Sequence, residues 1–160
     1  LINIILEQQV SLASAKACFD KLQLRLPELS PESFLTLSAE DLLGVGFSRQ
    51  KTRYSRILAE AIRGGSLDLK ALSLVSDEEV MSRLTALVGI GPWTANIYLL
   101  MALGRYDIWP GGDLALVVAL QKLYKLDTRP TPDEFQELGE KWRPYRSVAA
   151  RILWHYYLSG

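Results

Sequence analysis

Apolar residues recur at helical spacing through most of the chain. Ile2, Ile5, Leu6, Val10, Ala13 and Ala17 follow a 3.6-residue repeat, which predicts an amphipathic helix from Leu1 to about Leu22. Pro27, Ser30 and Pro31 break it. A short helix is expected from Ala39 to Leu43, closed by Gly44-Val45-Gly46, and Ser48 is placed to cap a longer one that runs to about Arg63 and stops at Gly64-Gly65. Ser76-Asp77-Glu78-Glu79 has the Ser-x-x-Glu spacing of a capping box and opens a helix reaching toward Val88. Further helices are expected from Pro92 to about Leu103, across the apolar run after Asp113, after Thr131-Pro132-Asp133-Glu134, and from Pro144 to about Leu158. No segment alternates with period two over a convincing length, so the chain reads as all-α with about seven to nine helices.

Length and charge narrow this picture. A chain of 160 residues suits one domain, taken here as residues 1–160, or two small lobes sharing a core, and it buries about two thirds of its unfolded surface. Cys18 is the only cysteine, which excludes an internal disulfide, a structural zinc cluster and a four-cysteine iron–sulfur site. His155 is the only histidine, so neither a Ser-His-Asp triad elsewhere nor a multi-histidine metal site can be assembled. Lys plus Arg equal Asp plus Glu at 18 each, so any basic surface must be local. The run Arg49-Gln50-Lys51-Thr52-Arg53-Tyr54-Ser55-Arg56 is either such a patch or the solvated face of a helix. No apolar run has the length of a membrane span and no signal-peptide pattern is visible, so an intracellular protein is expected, in the cytoplasm or nucleoid of a bacterium or the nucleus of a eukaryote. The sequence opens at Leu1 in mid-pattern, and residues completing a first lobe are expected upstream.

Candidate chemistry concentrates after residue 85. In Leu87-Val88-Gly89-Ile90-Gly91-Pro92-Trp93-Thr94-Ala95 two glycines permit positive φ, and Pro92 suits the first position of a helix. The unpaired amides at that helix start, with the positive end of the dipole, can grip one phosphate; the same residues also make an ordinary tight turn. Asp113, after Trp109-Pro110-Gly111-Gly112, is an ordinary N-cap by position, yet a capping carboxylate can also keep an oxygen toward a cleft. Trp93, Trp109, Trp154, Tyr98, Tyr145, Tyr156 and Tyr157 crowd the same half; at least half must be core, while the others offer flat faces for an extruded nucleobase.

These motifs, with Gln8-Gln9-Val10-Ser11 and Trp142-Arg143-Pro144-Tyr145-Arg146-Ser147-Val148-Ala149-Ala150, resemble the helix-hairpin-helix DNA glycosylases, in particular the 3-methyladenine DNA glycosylase II branch. The resemblance spans essentially the whole chain and implies a two-lobed all-α fold with the active-site cleft between lobes and a helix-hairpin-helix at about residues 77–104. It implies that Asp113 faces the sugar of a flipped nucleotide and stabilises an oxocarbenium-like transition state. It places Trp93 and Trp154 in the base pocket with Ile97, Tyr98 and Trp109, where indole faces favour a cationic alkylated purine by about 0.5–2 kcal/mol. Ile97 stands where that branch has Tyr, with Tyr98 beside it. Members that nick the strand have Lys where this chain has Trp93, so the resemblance implies base release without lyase activity. Gly89, Gly91 and Thr94 would contact a phosphate. Gln9 would fill the gap left by the flipped base, although Gln8 and Gln9 could also simply bond nearby helix ends. The carbonyls of Thr85, Leu87 and Ile90 would hold a structural monovalent cation, with no cofactor required. The expected partner is damaged double-stranded DNA bound by a monomer, with no membrane. Two alternatives stay open: a hairpin module that binds DNA without catalysis, and a glycosylase for a deaminated or mismatched base.

Overall fold

Serine, threonine and aspartate begin most of the helices of this chain. The computed structural model describes residues 1–159, and among them the secondary structure is eleven helices with no strand. They are α1 (Ile2–Glu7), α2 (Leu12–Arg25), α3 (Pro31–Thr36), α4 (Ala39–Val45), α5 (Arg49–Arg63), α6 (Leu69–Leu72), α7 (Asp77–Thr85), α8 (Pro92–Met101), α9 (Leu114–Tyr124), α10 (Pro132–Glu140) and α11 (Arg146–Ser159). Ser11, Ser30, Ser38, Ser48, Asp68, Ser76, Asp113 and Thr131 each accept a backbone N–H two or three residues onward. Each such cap stabilises its helix by about 0.5–2 kcal/mol over alanine.

The chain departs from the sequence pattern in three places. The helix expected from Leu1 to Leu22 is two helices, because Gln9 takes φ 57° and Ser11 caps a new start. A positive φ at a non-glycine residue leaves no mark in the apolar repeat. The short α3 and α6, each one or two turns, also went unpredicted, which raises the count above the expected seven to nine.

The chain divides into two compact helical units, Leu1–Thr94 and the residues from Ala95 onward. In the first, α1 packs on α2 and α5, α3 on α5, and α4 on α2 and α5. Their shared core holds Leu6, Cys18, Leu22, Phe34, Leu42, Val45 and Phe47, with the rings of Phe34 and Phe47 6.0 Å apart. Lys51 of α5 donates to the carbonyl of Leu6 at 2.5 Å, and Arg56 donates to the carbonyl of Leu37. These two cations of the basic run thus serve the carbonyl ends of α1 and α3, while Arg49 and Arg53 are exposed. Burial lowers the Lys51 ammonium pKa below its ordinary value, against the opposing pull of Cys18. In the second unit α9 packs on α11, burying Leu116, Ala119, Leu120, Ala150 and Leu153. Each fully buried leucine contributes about 1.5–3 kcal/mol. No helix among the described residues is long and apolar enough to cross a membrane.

Candidate active site and nucleic-acid-binding loops

In the first unit, α7 ends at Thr85 and α8 begins at Pro92, leaving Ala86–Gly91 as the hairpin loop. Gly89 sits at φ 94°, and a Cβ there would lie 2.1 Å from Cγ of Tyr54, whose ring packs on it. Glycine is therefore required twice over, by backbone angle and by contact. The Tyr54 hydroxyl takes a hydrogen bond from Gln50 at 2.7 Å. Gly91 and Pro92 are exposed, and Pro92 takes the first position of α8, where its missing N–H costs nothing.

Gln8 joins this hairpin to the break between α1 and α2. Its side-chain amide donates to the Gly89 carbonyl at 2.9 Å and to the Thr94 hydroxyl at 3.0 Å. Thr94 is 2% exposed, and its hydroxyl accepts the Gln8 amide within this clip. Gln9, next in sequence, is exposed and held at φ 57°. Gln8 thus takes the bonding role considered for both glutamines. A cavity of about 640 Å³ lies among Gln8–Val10, the start of α5 and the hairpin, and is lined by Thr85, Leu87, Gly89, Ile90 and Gly91. Leu87 accepts the Ile90 N–H at 3.1 Å, leaving its second lone pair. No group of three or more His, Cys, Asp or Glu among the described residues could hold a metal ion. Carbonyl oxygens without carboxylates fit a weakly held monovalent cation better than a divalent one.

In the second unit Asp113 caps α9. Its Oδ1 accepts the Leu116 N–H at 2.9 Å and the Trp154 indole N–H at 3.1 Å, and the residue is 7% exposed. The carboxylate is thus oriented from α9 and from α11 at once. Trp154 is half-buried, as is Trp93 at the second position of α8 in the first unit. Ile97 and Tyr98 are buried, and burial raises the Tyr98 phenol pKa above its ordinary value. Trp109 is core: its ring stacks on Phe135 at 4.8 Å, tilts against Trp142 at 5.4 Å, and donates its N–H to the Phe135 carbonyl at 3.0 Å. A Cβ on Gly139 of α10 would lie 2.5 Å from Trp109 Nε1. Its packing leaves it little freedom to offer a face to a base.

The sequence reading did not find Tyr54, nor the Gln8 clip in this form, nor the partners of Arg146 and Ser147. A long-range polar pair has no local signature.

The fold is two helical units, one carrying a glycine hairpin and the other an aspartate-capped helix, and the comparisons give it a family. Residues 2–144 match the HhH-GPD superfamily base excision DNA repair protein family, and the chain belongs to that superfamily, in its 3-methyladenine DNA glycosylase II branch. It is 31% identical over 160 residues to DNA-3-methyladenine glycosylase 1 of Schizosaccharomyces pombe (strain 972 / ATCC 24843), covering 96% of this chain and 69% of that protein. The solved structure of a 3-methyladenine DNA glycosylase of the same yeast in complex with abasic DNA superposes with a TM-score of 0.89 at 29% identity, over 96% of this chain and 76% of that one. A Bacillus subtilis (strain 168) relative is 35% identical over 124 residues; the match takes in 78% of this chain but 43% of that protein's length.

Proposed function

We propose that this chain is a monofunctional DNA glycosylase that flips an alkylated purine out of duplex DNA and hydrolyses its N-glycosidic bond, as in 3-methyladenine or 7-methylguanine removal. The observation that carries the reading is Asp113, a nearly buried carboxylate whose Oδ1 is fixed by two N–H donors. A rigid negative group is what a ring developing oxocarbenium character needs, because it is already oriented when charge appears. The bond between C1′ and the base nitrogen breaks, its electron pair leaves with the base, water oxygen bonds to C1′, and the water proton passes to Asp113 or solvent. An N3- or N7-alkylated purine is cationic before cleavage and leaves neutral, so no second acid is required. An indole at Trp93 has no amine with which to attack the sugar, which supports hydrolysis without strand cleavage. The hairpin amides grip a phosphate, exposed Gln9 fills the vacated stack, and a monomer on damaged double-stranded DNA inside the cell suffices.

The test is incubation with methylated duplex DNA, scoring free base and strand nicks before and after alkali. Released 3-methyladenine or 7-methylguanine with nicks only after alkali supports the reading. Binding without release favours a non-catalytic module, nicks before alkali contradict the monofunctional assignment, and release confined to a deaminated or mismatched base moves the substrate.

A further inference from the structure

The segment Trp142–Ala150 is singled out by the sequence but has no part in the reaction described above. Its centre makes the densest polar contacts in the second unit. Arg146 Nε and Nη2 reach Asp107 Oδ1 and Oδ2 at 2.7 and 3.0 Å, and Nη2 also donates to the Asp107 carbonyl at 3.0 Å. Ser147 donates its hydroxyl to the Arg105 carbonyl at 2.7 Å, accepts the Ile108 N–H at 2.9 Å, and sends its own backbone N–H to the Tyr106 carbonyl at 3.0 Å. Two adjacent residues at the start of α11 thus bond to every residue from 105 to 108. The Arg146 side chain is 13% exposed and its guanidinium forks on one carboxylate, a geometry lysine cannot reproduce.

Seven residues after Ser147, about 10 Å along the helix axis, Trp154 donates to Asp113. The start of α11 therefore grips the beginning of the Arg105–Asp113 segment, and its third turn meets the end. Trp109, between the two, is held separately by α10 through Phe135 and the close approach at Gly139. We infer that Arg146 and Ser147 are positioning residues for Asp113: they register α11 against the Arg105–Ile108 segment, and that register sets the bond between Trp154 and the Asp113 carboxylate. The inference rests on the role given to Asp113 under the proposed function.

Arg146→Lys keeps the charge and removes the fork. Three measurements on it decide the matter. Single-turnover base release should fall about 10- to 100-fold, the cost of a misplacement near 1 Å, with affinity for a duplex containing a tetrahydrofuran abasic analogue unchanged. The same substitution in an Asp113→Asn background should cost nothing further, because both changes act through one carboxylate. In the proton–nitrogen spectrum the Trp154 indole N–H, assigned with Trp154→Phe, should move while that of Trp109 stays. Ser147→Ala deletes one hydroxyl, carries the same predictions with a smaller loss, and decides the question should Arg146→Lys not fold. An unmoved Trp154 resonance, joint movement of both indoles, or a loss that persists beside Asp113→Asn overturns the inference. If the wild type releases no alkylated base, the proposed function fails by itself, while the indole resonances still decide whether the grip sets the Trp154–Asp113 bond.

Discussion

The hairpin of the first unit and the Asp113 turn of the second both end at the start of a helix, and they treat that start in opposite ways. At α8, exposed Gly91 leads into Pro92, itself exposed at the first helical position. At α9, Asp113 folds its own carboxylate onto the Leu116 amide and is nearly buried. The positive end of α9 thus meets its own carboxylate, whereas that of α8 follows an exposed glycine and proline, where the proposed function seats a phosphate. The carboxylate-capped start holds a charge still. Neighbouring contacts follow the difference, since Tyr54 and Gln8 support the hairpin from its back while Trp154 orients the carboxylate.

Substitutions can break this contrast from either side. After Asp113 itself, the largest effect is expected at Trp154. Trp154→Phe keeps an aromatic face and deletes the N–H on Asp113, and a hydrogen bond to a charged group is worth about 1.5–3 kcal/mol, so base release should slow about 10- to 100-fold. Should Trp154→Phe release bases at the wild-type rate while Trp154→Ala does not, the ring rather than the N–H matters, and two-sided orientation of Asp113 fails. Gly89→Ala comes next, because a Cβ at φ 94° meets the Tyr54 ring. It should lower stability by about 1–3 kcal/mol and weaken duplex affinity about tenfold, as titration of labelled duplex will report. Unchanged affinity would remove the hairpin from DNA binding. Gln8→Ala should cost about 1–2 kcal/mol by leaving the buried Thr94 hydroxyl unpaired, read as a lower denaturation midpoint. Equal stability would show that the clip to the hairpin is incidental.

The smallest effect expected is on acid stability. Burial alone would push the Asp107 carboxyl pKa up, but bonds and charge from Arg146, with Arg143, take it below the usual carboxylate range. A depressed folded pKa contributes stability that is fully present above the unfolded value of about 3.9 and is lost as pH falls through the folded value. The stability gap between wild type and Asp107→Asn should therefore stay constant from neutrality to about pH 4 and close below it. A gap that closes already near pH 6 would contradict the pairing.

What the sequence reveals depends on how far apart the partners lie. Ser48, Ser76, Thr131 and Asp113 read correctly as caps because donor and acceptor are three residues apart, though the box spacing at Ser76 closes only on its serine side, Glu79 pairing with Arg83 instead. The break at Gln9 did not, since only glycine advertises a positive φ. Trp109 and Trp154 look alike in a sequence, and only their partners, Phe135 in one case and Asp113 in the other, separate packing from orientation. The basic run on α5 left two readings open because Lys51 and Arg56 find their carbonyls at residues 6 and 37. The hairpin and Asp113 were legible because glycine, proline and an isolated aspartate before an apolar run are themselves the structural signal.

The closed helix start at α9 is tested most directly by Asp113→Asn, since asparagine caps a helix as well as aspartate does and removes only the charge. Single-turnover release of methylated purines from duplex DNA should fall about 100- to 1,000-fold, with unchanged folding and unchanged affinity for abasic duplex. Release retained at the wild-type rate would contradict the account, leaving Asp113 a cap and nothing more.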